Sequence, residues 1–230
     1  MTYSGKLIVI DGTDGSGKAT QTKRLIERLQ SEGLTVKTTS FPRYGQKSCG
    51  LVEHYLEGHY GSAEEVGPYR GSIFYAVDRY AASFEIQQWL QEGHIVIIDR
   101  YVGSNMGHQG GKIRDRAERE AFYKWEMELE HELFGIPVPD VNLVLYVPVE
   151  ISLELARMRN ITEGNKHNLK TDIHEADEQH LRDAAEAYQH MTELFDTFTL
   201  VKCTQNNKLH DRDTIHEMVW QHIKPLVTSS

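Results

Sequence analysis

Five short runs dense in valine and isoleucine recur along this chain, with stretches of helical length between them: KLIVID (6–11), TVKTTSF (35–41), HIVIID (94–99), VNLVLYV (141–147) and TLVKC (199–203). They lack the apolar–polar alternation of a strand with one wet face, so each reads as a strand covered on both sides. Residues 18–31, 70–92, 117–133, 151–158, 176–195 and 214–224 read as helices. Leu25, Ile26 and Leu29 share one face of the first, and Ile73, Phe74, Val77, Phe84, Ile86 and Leu90 recur along the second. Strands alternating with helices predict an α/β fold, a five-stranded parallel sheet with helices on both faces. At 230 residues, a single domain over 1–230 is expected. The polar stretch NITEGNKHNLKTD (160–172) interrupts two helical segments and predicts a short lid over about 157–172.

The first strand runs into GTDGSGK (12–18), which opens the first helix. Gly-x-x-x-x-Gly-Lys in that position is a phosphate-gripping loop of the P-loop NTPase type. Its glycines let backbone N–H groups curl around an anion, and the helix N-terminus adds partial positive charge. The predicted nucleotide contacts are Gly12, Thr13, Asp14, Gly15, Ser16, Gly17, Lys18, Ala19 and Thr20, with Lys18 reaching the β/γ phosphates. Ala19 stands where a Ser or Thr ordinarily touches magnesium, and Thr20 carries its hydroxyl one residue later, facing elsewhere. A Mg²⁺ ion would therefore depend on waters, phosphate oxygens and a carboxylate from another strand. Asp99, ending HIVIID, is that carboxylate, because ligands of open α/β sheets sit beyond the carboxyl ends of the strands.

Composition removes several function classes. A formal net charge of −9 argues against a duplex-binding face, hence no nucleic-acid partner. No apolar run approaches membrane-spanning length, and no signal-like N-terminus is present, so a cytoplasmic protein without a membrane partner is expected. Cys49 and Cys203 form no motif, in keeping with a reduced setting. In HEADEQH (174–180) the histidines stand six apart and share no helix face, so they read as solvated surface, not a zinc site. The acidic run EREAFYKWEMELEHEL (118–133) reads as an amphipathic helix.

Several stretches together resemble the thymidylate kinase family, P-loop nucleoside monophosphate kinases. They are KLIVIDGTDGSGKATQ, FPR (41–43), YAVDR (75–79), DRYVGSNMGHQG (99–110) and DIHEADEQHLRDAAEAY, in order along most of the chain. The resemblance implies ATP-dependent phosphorylation of dTMP to dTDP, with Mg²⁺ as cofactor and a homodimer formed through helices. It implies that Asp14 approaches the acceptor's 3′-OH and that Arg43 and Arg100, with Phe41 and Pro42, contact the acceptor monophosphate. Tyr75 falls at the aromatic stacked on thymine and Arg79 at the arginine reading a base carbonyl. Ser104 and Asn105 fall along the base edge, with Gln109 nearby. Lys18, Asp14, Asp99 and Arg100 are the implied catalytic group. Gly15 stands where one subgroup carries an arginine; its absence implies that lid cations take over, here Arg157, Arg159 and Lys166.

These roles suit two anionic substrates brought together, where positioning and charge neutralisation do the catalysis. His108 stands where the family has a tyrosine at the sugar. It motivates an alternative, a kinase of the same fold acting on another pyrimidine monophosphate. Ala19 motivates another, a non-catalytic nucleotide-binding protein.

Overall fold

The computed structural model of the chain describes residues 3–154 and 178–228. All five predicted strands are present: β1 (Lys6–Gly12), β2 (Val36–Ser40), β3 (Ile95–Asp99), β4 (Val141–Tyr146) and β5 (Phe198–Lys202). They form one parallel sheet in the order β2-β3-β1-β4-β5, with Ile10 opposite Asp99 in the β1–β3 ladder.

The side chains of the central strand divide between two cores. Leu7 and Val9 join Val96, Ile98 and Val144 on one face, and Ile8 and Ile10 join Ile97, Leu143 and Leu145 on the other. The second face is covered by α1 (Lys18–Ser31) through Leu25 and Leu29 and by α8 (Arg212–Thr228) through Ile215, Val219 and Ile223. The first is covered by α3 (Ala63–Gln91), α4 (Val102–His108), α5 (Arg116–Met127) and α7 (Glu178–Leu194). Two short helices, α2 (Gly50–Leu56) and α6 (149–154), 3-10 turns at Lys47–Cys49 and Gly110–Lys112, and a hairpin of β6 (Thr204–Gln205) and β7 (Lys208–Leu209) are also described.

Three helical expectations change. The helix expected over 70–92 starts at Ala63, because Ser62 and Glu65 form a capping box, and it kinks at Gly67 (φ 73°) before Pro68. The helix expected over 117–133 is α-helical only to Met127, and Glu128–Leu133 is π-helical. α4 was not anticipated; it starts three residues after β3 ends and carries Ser104, Asn105 and His108. The expected lid, with Arg157, Arg159 and Lys166, lies outside the described residues, as does the second half of the expected helix 151–158.

α4 lies against α7 at a close crossing: a Cβ on Gly107 would stand 2.4 Å from Tyr188 ring carbons. Gly107→Ala is expected to cost about 1–3 kcal/mol by overpacking, read as a lower urea midpoint; an unchanged midpoint would show that Tyr188 can yield.

Candidate active site

The chain leaves β1 toward α1 on one face of the sheet and leaves β3 toward α4 on the other. Adjacent parallel strands whose connections part in this way open a crevice at their carboxyl ends. The phosphate loop forms one lip. Gly12 (φ 137°), Gly15 (φ 77°) and Gly17 (φ 90°) take backbone conformations that side chains resist. A Cβ on Gly15 would meet the Ser152 carbonyl oxygen at 2.4 Å, so this position has no room for an arginine. Gly17 caps α1 without a side-chain acceptor, and no acidic residue occupies the first turn, which keeps the positive helix end open to an anion.

Lys18 is 7 % exposed, and its Nζ donates to the carbonyls of Gly12 (2.9 Å) and Thr13 (2.8 Å). Burial, then the neighbouring Arg100, pull its ammonium down to about 8. The hydroxyls of Thr13 and Ser16 are buried and unpartnered among the described residues. Ala19 is exposed and lines a cleft of about 1040 Å³ with Pro42, Arg43 and Asp99. Thr20 lines a different depression, with Lys23, Arg24, Glu27 and Arg212, so its hydroxyl does not replace the one missing at Ala19.

The other lip follows β3. Arg100 takes a left-handed backbone conformation (φ 67°), uncommon for a side-chain-bearing residue, while its N–H bonds Ile10 O at 3.0 Å. Its guanidinium turns across the crevice to pair with Asp14, and Nη1 lies 3.1 Å from His108 Nε2. Asp99 Oδ1 is buried without a partner among the described residues and borders the same cleft, which suits a hard divalent cation completed by waters and phosphate oxygens. Asp11 was given no role by the sequence reading. It accepts from Ser104 Oγ and Tyr101 N, and burial raises its carboxyl above the usual range despite those donors. A Cβ on Gly103 would lie 2.7 Å from its Oδ2, and the wholly buried Asp11 braces α4 against β1.

Arg43 is clamped. Its backbone N–H and Nε donate to the buried Asp78 carboxylate (2.8 and 3.1 Å), and Nη2 donates to Ser48 Oγ (2.9 Å). Nη1 has no hydrogen-bond partner among the described residues, so the held fork keeps a donor for a phosphate. Phe41 is buried beneath it, with the guanidinium 5.8 Å above its ring. Asp78 stands in the YAVDR stretch, where the acid preceding Arg79 was the available signal.

The expectations for the base end need correction. Arg79 is 1 % exposed, and its Nε and Nη2 both donate to Glu130 at 2.6 Å, a buried fork-to-fork pair in place of an open base reader. Ser104 is committed to Asp11, and the Asn105 amide donates to Ser72 O (3.1 Å) and Glu126 Oε1 (3.4 Å), so neither presents a donor to a base edge. Gln109 is buried and accepts from Lys112 Nζ at 2.7 Å. Tyr75 is half-buried, edge-on to Tyr55 with ring centroids 6.3 Å apart. The acidic run is not solvated throughout: Glu126 in α5 and Glu130 in the π-helical turn after it are wholly buried, and Glu130 lies against Arg79. Burial, then the Glu130 carboxylate beside it, push Glu126 up to about 8. His180 is likewise half-buried, with its ring edge against that of His108.

The family model for thymidylate kinase matches residues 10–213, spanning the phosphate loop, the crevice and the start of α8. The chain belongs to the thymidylate kinase family. Thymidylate kinase of Mycobacterium tuberculosis (strain ATCC 25618 / H37Rv) is 33 % identical over 154 residues, covering 66 % of this chain and 71 % of that protein. Thymidylate kinase of Caulobacter vibrioides is 31 % identical over 156 residues, covering 67 % and 71 %. Among solved structures, a thymidylate kinase from Candida albicans matches with a TM-score of 0.71 at 21 % identity, covering 97 % of this chain and 92 % of that one. That likeness shows the shared fold.

Within this thymidylate kinase fold the Glu126 carboxyl makes a stability prediction. Its pKa is about 8 in the folded chain against an ordinary carboxyl value of 4.5. From pH 4.5 to 8 the folded state therefore holds a proton that the unfolded chain releases, and wild-type stability falls as pH rises through that window. Glu126→Gln, neutral at every pH, is expected to gain stability relative to wild type from pH 5 to pH 8, by on the order of a few kcal/mol at most. Thermal melts across that range test it; a pH-independent difference would place the proton elsewhere.

Proposed function

We propose that this chain transfers the γ-phosphoryl group of ATP to dTMP, giving dTDP and ADP. The observation that carries the reading is the convergence of Lys18, Arg100 and Arg43 on the carboxyl ends of three neighbouring strands, each cation held by an acid or by loop carbonyls. Lys18 and the loop amides hold the donor phosphates. Arg43 and Arg100 take the acceptor monophosphate, held in place by Asp78 and Asp14, and Asp14 also faces the acceptor sugar. The two dianions thus meet end to end for an in-line transfer, which asks for alignment and charge neutralisation and no covalent intermediate. Asp99 would hold Mg²⁺ through its unpartnered oxygen, and the ion, when bound, neutralises charge on the phosphate oxygens. Tyr75, alone among the expected base contacts in having a half-exposed ring, is the stacking platform.

His108 favours a second reading, a relaxed choice of acceptor, because an imidazole tied to Arg100 is smaller than a tyrosine. Ile73, Tyr80 and Phe84 lie exposed along α3 at helical spacing, and this apolar stripe supports a homodimer formed through α3. No described helix is long and apolar enough to cross a membrane, and we place the enzyme in the cytoplasm.

An ADP-release assay over a panel of monophosphates tests the acceptor: dTMP is expected to be turned over fastest, and turnover of another monophosphate alone would reject it. Lys18→Ala is expected to lower kcat by about 100-fold or more with its melting temperature retained; a rate near wild type would remove the loop from the mechanism, and a wild-type chain that binds ATP yet turns over no monophosphate would favour the non-catalytic reading. The lowered Lys18 ammonium gives a further check. Phosphates restore its proton, so ATP binding at about pH 8.5 is expected to take up protons, seen as a buffer-dependent calorimetric enthalpy that Lys18→Ala abolishes. The same enthalpy in every buffer would contradict it.

A further inference from the structure

Four side chains from four parts of the fold form a continuous polar line across the crevice. Asp14 of the phosphate loop pairs with Arg100 Nη2 beyond β3; Arg100 Nη1 stands 3.1 Å from His108 Nε2 on α4; His108 Nδ1 stands 3.3 Å from His180 Nε2 on α7. The two imidazoles lie edge to edge, with centroids 5.5 Å apart and planes 25° from parallel. This geometry dictates where the protons are. A guanidinium carries donors only and keeps its proton, so the nitrogen facing it must be a bare acceptor. His108 is therefore neutral with its single proton on Nδ1, and that proton points to His180 Nε2, which must be bare in turn. Both rings carry the Nδ1–H tautomer.

The charges around the ring agree. Arg100 and Lys18 face His108 from the ends of β3 and the phosphate loop, Asp14 opposes them, and α7 contributes His180 and the edge of Tyr188, whose hydroxyl is turned to Ser104. Desolvation and Arg100 keep the imidazole well below its ordinary range in spite of Asp14.

We propose that His108, oriented by His180, is a positioning residue for Arg100: its bare Nε2 fixes one arm of the guanidinium while Asp14 fixes the other, so that Arg100 meets an incoming phosphate already aligned. The proposal rests on the kinase reading only for Arg100's role toward phosphate; the proton placement stands apart from it. An arginine on a long flexible stem loses rotamer freedom when it is locked, and locking it before the substrate arrives removes that cost from the binding step.

Two measurements on the full chain decide it. In ¹⁵N–¹H NMR of ring-labelled protein near pH 7, His108 is expected as the neutral Nδ1–H tautomer; an Nε2–H tautomer or an imidazolium overturns the proposal, whatever the enzyme's activity. In steady-state kinetics, His108→Phe keeps a flat ring without an acceptor and is expected to lower kcat/KM for dTMP by roughly tenfold or more, with KM for ATP within about twofold. His108→Gln, whose amide oxygen falls near the place of Nε2 and accepts without titrating, is expected to recover most of that loss. A Gln variant as impaired as the Phe variant, with melting temperatures equal to wild type, overturns the positioning role. Should the Phe variant fail to fold, the tautomer and the Gln variant still decide. Wild type that turns over no dTMP at all would sink the kinase reading instead, and the tautomer would continue to report on His108.

Discussion

The fold turns on one topological constraint: β1 and β3 are parallel neighbours whose chains must leave toward opposite faces of the sheet. Parallel strands need covered crossovers, and with β1 in the middle of the order β2-β3-β1-β4-β5 the crossovers at its end cannot stay together. The gap that results has backbone N–H groups and a helix N-terminus on one side and a conformationally strained arginine on the other. Anion binding follows from that geometry before any side chain is considered.

Side chains then refine the crevice by pairing each cation in advance. Arg43 has Asp78, Arg79 has Glu130, and Arg100 has Asp14 and His108. Removing an ion from water is costly unless it is paired, and a partner that engages one edge of a guanidinium orients the rest. The degree of enclosure separates the roles. The Arg79–Glu130 pair is sealed and acts as part of the core, beside a second glutamate that holds a proton because burial and Glu130 disfavour its charge. Arg43 and Arg100 lie at the cleft and crevice with part of each fork uncovered, at 19 % and 22 % side-chain exposure. The Glu130 side of the sealed pair sits in the π-helical turn Glu128–Leu133 that follows α5.

Much of this architecture was legible in order of residues. The three inner strands announced themselves because strands buried on both faces leave unbroken apolar runs, whereas the edge strands β2 and β5 are only partly covered; the observed bounds of all five differ from the expected ones by a residue or so at each end. The phosphate loop was legible because its function is carried by backbone: glycines at fixed spacing after a strand are sufficient. Asp14, Arg100 and Lys18 lie together at the crevice, and Arg43 borders the neighbouring cleft with Asp99. The base end was not legible. Ser104, Asn105 and Arg79 spend their polar groups on Asp11, Glu126 and Glu130, acids that sit 93, 21 and 51 residues away in sequence. His180, read as solvated surface, instead meets a histidine 72 residues distant through a ring nitrogen. Periodicity says which face of a helix is apolar; it is silent on which lone charged residue on that face has a partner waiting.

What the amino-acid sequence determined by itself is whatever depends on local backbone and hydrophobic pattern: strands, most helices, the glycine cradle and the kinship carried by short motifs. What only the tertiary structure decided is charge and proton state: which arginine is open, which carboxyl is neutral, and which nitrogen of His108 is bare. Those quantities depend on burial and on partners brought within about 3 Å by folding, where electrostatic energies vary steeply with distance and solvent exposure.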